Sequence, residues 1–297
     1  MATRTASVSV SWRRGAAGRR LSAWTVARHG LALLFAAFVL LPIVYMVLIA
    51  LQPTSTAGTE VVPKIWHPET FREMWDTVSL GIYLRNSLII AILAGVLSSV
   101  LALGAAYVVA RFRFRFRNVF RISLLATHTV PGLLLLLPLF VMYAIVQQTV
   151  GVVIIGTYWG VVFTYMAFAL PFSIWLLSVY ITGLPVELEE QALVDGATRL
   201  EVVRWVTLPL ALPGMVVTFV FAFLLSWNDV LFASVLTSPT TRTLGVGLRN
   251  YLSENYALPE WNQLMAASIV SAIPAVILFL IVQRYIVTGL ASGSLKG

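Results

Sequence analysis

The sequence predicts an all-α membrane protein with six transmembrane helices. Three observations lead there. Of its 297 residues, 59% are apolar or aromatic and only 11% are charged, with a mean hydropathy of +0.90. Soluble domains sit near 45–50% apolar and 25% charged. Six stretches reach the roughly 20 apolar residues that a spanning helix needs. These runs are continuous rather than alternating, and in lipid only helices or closed barrels satisfy every backbone group, so helices are expected.

In order, the expected spans are Leu31–Leu51, Leu88–Ala110, Ile122–Val146, Gly156–Ile181, Leu210–Phe232 and Leu264–Tyr285. The first competes with a secretory signal, whose apolar core is about 7–15 residues behind a short basic region. Here a run of spanning length follows about thirty residues, and it reads as a retained helix. In the third span, Pro131 and Pro138 are seven residues apart and fall on one helical face, and Pro171 lies in the fourth. Prolines kink membrane helices and open space. His128 is expected one and a half turns into the third span, as an interhelical donor. Gly156 and Gly160 fit a small-xxx-small packing face. Trp159, Trp175, Trp227 and Trp261 read as interfacial anchors or packing groups before stacking platforms for a ligand.

Arginine bias sets the orientation. Arg4, Arg13, Arg14, Arg19, Arg20 and Arg28 precede the first span, and Arg111, Arg113, Arg115, Arg117 and Arg121 follow the second. Both termini are therefore expected to be cytoplasmic, with parity placing residues 183–208 on the same side. The Arg-Phe alternation over 111–117 reads as an anchor, with arginines in the headgroups and phenylalanines in the interface. A net charge of +8 and a pI near 10.1 do not indicate nucleic-acid binding, which needs a folded basic face. Disorder is excluded by the hydrophobicity. The outer loop 52–84 carries Glu60, Glu69, Glu73 and Asp76, a solvated face or a contact for an extracytoplasmic protein.

The interior is short of chemistry. No cysteine is present, and His29, His67 and His128 are too scattered for a metal motif. Asp229 is placed about 30 Å from Leu210, at the outer edge of the fifth span. The spans lack the buried carboxylate that ion-coupled transporters keep. Neither Lys64 nor Lys296 sits in a phosphate-binding Gly-Lys-Ser/Thr pattern. No clustered polar set suggests catalysis.

Residues 183–213 carry the densest local signals. Pro185 and the acids Glu187, Glu189 and Glu190 suit a helix start. Gly196 after Asp195 suits its stop. Thr198 with Glu201 forms a capping-box pattern, and Pro209 is expected to end a second short helix. From local pattern alone, a projecting docking element and an amphipathic connector lying on the membrane fit equally.

The run Glu190-Gln191-Ala192-Leu193-Val194-Asp195-Gly196-Ala197, followed by Leu208-Pro209 and Pro213, resembles the EAA loop of ABC importer permeases, with Gln191 standing where that family usually has alanine. Asn86-Ser87-Leu88, Ser226-Trp227-Asn228-Asp229, Thr243-Leu244, Gly247-Leu248, Gln283-Arg284-Tyr285 and the end Gly289-Leu290…Leu295-Lys296-Gly297 are similar to segments of the maltose-type second permease. The resemblance implies a type I ABC importer transmembrane domain in the bacterial inner membrane. Residues 1–30 would be a cytoplasmic tail, and 31–297 the permease with a coupling loop at about 183–209. It implies that Glu190, Gln191, Ala192, Asp195, Gly196, Ala197, Leu208 and Pro209 serve ATPase coupling. Glu190 would contact the ATPase, Ala192 would allow close approach, and Gly196 would supply the turn. The implied partners are a second homologous permease, two ATP-binding subunits that hold ATP and Mg, an extracytoplasmic solute-binding protein and the bilayer. No bond chemistry and no cofactor are expected in this chain. A glycerol phosphodiester or polyol is the alternative cargo, and a secondary transporter the alternative class.

Overall fold

The computed structural model describes residues 23–254 and 260–294. The basic residues up to position 20 and the last three residues lie outside them, as do the side chains of residues 284–294. The chain divides into two compact units, Met1–Tyr45 and Met46–Gly297. In the first unit the described residues form the leading part of helix α1 (Ala23–Ala50), with Leu33, Phe35 and Phe38 exposed. Its closing turn belongs to the second unit, where Ala50 is buried.

The second unit continues through α2 (Thr70–Thr77), α3 (Leu80–Arg111), α4 (Arg117–Ala126), α5 (Gly132–Val150) and α6 (Tyr158–Thr182). It ends with α7 (Glu187–Val194), α8 (Arg199–Val202), α9 (Leu208–Asn228), α10 (Leu231–Leu236), α11 (Leu244–Glu254) and α12 (Trp261–Ser294). Six helices among the described residues are long and apolar enough to cross a membrane.

The centre of this unit is the trio α3, α6 and α9. Small buried residues on α3, namely Ala91, Gly95, Ser98, Ala102 and Ala106, recur every three or four positions. That spacing keeps them on one face, and small side chains let backbones approach closely. At Gly95 an added Cβ would stand 2.7 Å from the Phe219 ring, so even alanine would push α3 from α9. By contrast, Leu133, Leu134 and Leu137 on α5 and Phe279 and Leu280 on α12 are exposed. Apolar faces of that extent are unusual on soluble monomers and suit lipid.

Boundaries differ from the sequence reading in instructive ways. The expected span Ile122–Val146 is two helices. α4 is short, with Val119, Phe120, Ile122 and Leu125 exposed. A 3₁₀ turn over Thr127–Thr129 follows, and the spanning α5 starts only at Gly132. Val130 is extended (ψ 119°), as a residue before proline prefers. Pro131 therefore caps α5 while Pro138 alone is inside it, so they do not share a helical face. His128 lies before the span. Gly156 is a turn glycine at φ +84°, ahead of α6 and its Thr157 cap, so it is not half of a packing pair.

Pro209 does not end a helix. α8 runs through a π turn at Val203–Thr207 into α9, with Pro209 in its first turn. Proline lacks an N–H and crowds the carbonyl four residues back. The wider π turn accommodates it.

The motif residues Asn86 and Ser87 act as staples. The buried Asn86 donates through Nδ2 to the carbonyls of Thr240 (3.0 Å) and Arg242 (2.9 Å). Its Oδ1 accepts from the Tyr158 hydroxyl at 2.7 Å. Ser87 Oγ accepts from Leu244 N–H at 2.7 Å. A similar device shapes the loop between α1 and α2. Gln52 donates to the Glu60 carbonyl (2.7 Å), accepts from Gly58 N–H (2.9 Å), and its own carbonyl accepts from Asn262 (3.1 Å). Glu60 is paired with Lys64 at 2.8 Å, which holds its carboxyl below the usual carboxylate range.

Candidate functional site

Two regions concentrate polar groups. The first is the loop between α6 and α9. Glu187, Glu189 and Glu190 occupy the first turn of α7, where carboxylates complement the helix dipole. Its end is closed by a full Schellman pattern: Gly196 N–H donates to Leu193 O (3.1 Å) and Ala197 N–H to Ala192 O (3.0 Å). Gly196 takes φ +92°, which L side chains rarely adopt. The expected capping box is present: Thr198 N–H donates to Glu201 Oε2 at 2.7 Å, and Glu201 N–H reaches Thr198 Oγ1.

This geometry gives the loop two faces. Outward lie Glu187, Glu190, Gln191, Val194 and Asp195, around a shallow depression of about 530 Å³. Val194 is 87% exposed, with exposed Leu200 and Trp205 further along. Inward lies Glu189, whose side chain is 4% exposed. It accepts from Arg111 Nε at 3.0 and 3.1 Å and from Thr207 Oγ1 at 3.2 Å. Arg111 Nη2 stands 2.9 Å from the same carboxylate and also donates to the Leu184 carbonyl. One buried ion pair thus ties α7 to the end of α3 and to the approach to α9. The Arg199 guanidinium adds a contact over the Phe112 ring at 5.9 Å.

Of the sequence-derived loop residues, Glu190, Gln191 and Asp195 share the outward face, Ala192 is half-buried, and Gly196 and Ala197 build the stop. Leu208 and Pro209 do not join them. Leu208 packs beside Ala102, Ala106 and Ile181 in the helix core, and Pro209 opens α9. Arg111 departs from its headgroup role because Glu189 is its partner. Arg117 departs too, donating to the carbonyls of Val109 (2.6 Å) and Ala110 (2.9 Å) at the end of α3. Sequence reasoning gave Glu189 only a place in the helix start and missed its tie to Arg111. The signal available was its spacing, one position before Glu190 and hence about 100° around the helix.

The second region is a cavity of about 600 Å³ among α5, α6, α9 and α10. Leu135, Leu139, Phe168 and Phe232 give it apolar walls, and Thr127, His128, Tyr165, Asn228 and Asp229 bring polar atoms. Asp229 follows the last residue of α9. Its Oδ2 accepts from the Tyr165 hydroxyl (2.8 Å) and from Ala233 N–H (3.1 Å). His128 stands edge-on to Phe172 and Phe221, at 5.7 and 6.2 Å. Hydropathy counting missed this gathering because its members come from five separate segments.

Residues 98–292 match the family described as binding-protein-dependent transport system inner membrane component. The chain belongs to this family. This inner membrane permease is 34% identical to the trehalose/maltose transport system permease protein MalG of Thermococcus litoralis, over 90% of this chain and 95% of that protein. It is 32% identical to the trehalose transport system permease protein SugB of Mycobacterium tuberculosis, over 94% and 99%. Among solved structures, the permease matches a chain of a bacterial ABC transporter involved in the import of the acidic polysaccharide alginate. The TM-score is 0.74 with 21% identity, over 88% of this chain and 96% of that one. That likeness establishes the fold, an ABC importer transmembrane domain.

Proposed function

We propose that this permease is one transmembrane subunit of an ATP-driven, binding-protein-dependent sugar importer, forming half of its translocation pathway. In this reading a second homologous permease supplies the other half. Two ATP-binding subunits hold ATP and Mg²⁺, and an extracytoplasmic solute-binding protein delivers the cargo. Both termini face the cytoplasm, in keeping with the arginine bias, and the even number of spans puts the α7 loop on the same side. The chain itself makes and breaks no covalent bonds.

The observation that carries the reading is the two-faced loop. A short helix, capped at its end, turns Glu187, Glu190, Gln191, Val194 and Asp195 outward, while Glu189 fastens it to α3 and to the approach to α9. An outward face of acids around an exposed valine suits a partner's polar cleft. The inward ion pair gives a displacement of that partner a path into the central helices. Coupling then requires the face to bind differently in the two nucleotide states, since only differential affinity shifts a conformational equilibrium. The sugar class is supported by the names of the relatives, which are trehalose, maltose and diacetylchitobiose permeases.

The test is uptake by the complex reconstituted with its co-purifying partners. Sugar accumulation that needs ATP and the loaded binding protein is expected. Accumulation driven by an ion gradient without ATP contradicts the proposal.

A further inference from the structure

We infer that the cavity between α5, α6, α9 and α10 is where this chain touches its cargo, and that Asp229 restricts that contact to neutral polyhydroxylated compounds over anionic ones. The inference rests on the importer reading and adds a contact site and a charge rule to it.

Size and lining both suit a small sugar. Ligand sites typically span about 300–1,000 Å³ and are apolar with a few placed polar groups, and this cavity holds about 600 Å³. A pyranose offers C–H faces and a rim of hydroxyls. The Phe168 and Phe232 rings, with centroids 4.8 Å apart, supply an apolar surface for the former. For the latter, Asp229 is held rigidly. Tyr165, itself fully buried, and Ala233 N–H both engage its Oδ2. Among the described residues no donor engages Oδ1, which leaves that oxygen to accept from a hydroxyl. Asn228 stands beside it on the exposed side.

The charge rule follows from what lines the space. It contains one carboxylate and neither lysine nor arginine. A phosphodiester or uronate entering there meets like charge with no cation to offset it, in surroundings that screen less than bulk water. A neutral sugar gains a charge-assisted hydrogen bond instead. The cavity therefore favours a neutral sugar over the glycerol phosphodiester that the sequence left open.

The chain has no cysteine, so one introduced thiol is unique in it. Ala167 lines the cavity and is exposed. In the assembled complex, the Ala167→Cys thiol is expected to react faster with a cationic methanethiosulfonate than with an anionic one, on the order of tenfold beyond the ratio for a free thiol. Asp229→Asn, which keeps an acceptor for Tyr165 and Ala233, should abolish that excess. Asp229→Glu should retain it. Maltose, trehalose or diacetylchitobiose delivered with ATP and the binding protein should slow the reaction, and glycerophosphoglycerol should not. Equal reagent rates, or an excess that survives Asp229→Asn, overturn the charge rule. Protection by the anionic solute alone, or by none of the four, overturns the contact site. Either failure leaves ATP-driven uptake as a separate result, so the importer reading stands or falls on its own assay.

Discussion

Replacing Glu189 by alanine strands the Arg111 guanidinium, whose side chain is only 10% exposed. Removing one partner of a buried pair costs about 3–5 kcal/mol. We expect a lower unfolding temperature for the purified complex and loss of the ATP-binding subunits. The doubly exchanged chain, Glu189→Arg with Arg111→Glu, should recover part of both. If Glu189→Ala unfolds and assembles as the parent does, the pair is not holding the loop. Asn86 makes a second prediction at this scale. Asn86→Leu leaves the carbonyls of Thr240 and Arg242 and the Tyr158 hydroxyl without their partner. Each unsatisfied buried group costs about 1–3 kcal/mol. A thermal shift smaller than that of an exposed control such as Thr149→Ala would refute the staple. Both residues were visible in the sequence, yet their partners were not. Glu189 meets an arginine 78 positions away and Asn86 meets carbonyls more than 150 positions away, and no local pattern encodes such distances.

Among the elements, α7 and its stop were legible because they obey local rules. Three acids open the helix, a glycine closes it, and a Thr-x-x-Glu box starts the next one. Gly196→Val should break this stop, since φ +92° costs an L residue roughly 1–2 kcal/mol or more, and β-branching adds to it. Gly196→Asn should be milder. The measurement is retention of the ATP-binding subunits during purification, and equal retention in both variants would show that the stop does not matter. The third span was misread because apolarity alone was counted. Leu124 and Leu125 run on toward the leucines of α5 in a hydropathy window, while Val130-Pro131 interrupts the helix between them. Pro209 was misread in the opposite sense. A proline in the first turn of a helix, with a π turn before it, looks in sequence like a proline that ends one.

For the whole molecule, six spans were readable from composition, because a bilayer fixes helix length and leaves apolar faces exposed. The close packing of α3, α6 and α9 was not, since it depends on which small residues meet. The cavity was not either, because it draws on a 3₁₀ turn, three spans and a short helix. At this scale the proposed docking of an ATP-binding partner on the outward face of α7 can be tested directly. Gln191→Cys places the chain's sole thiol on that face, and Leu134→Cys places it on the exposed side of α5. A short thiol-to-amine cross-linker applied to the purified, ATP-hydrolysing complex should join the chain to an ATP-binding subunit through position 191 and not through position 134. A complex that hydrolyses ATP and imports sugar, yet shows no such joining at Gln191→Cys, contradicts it.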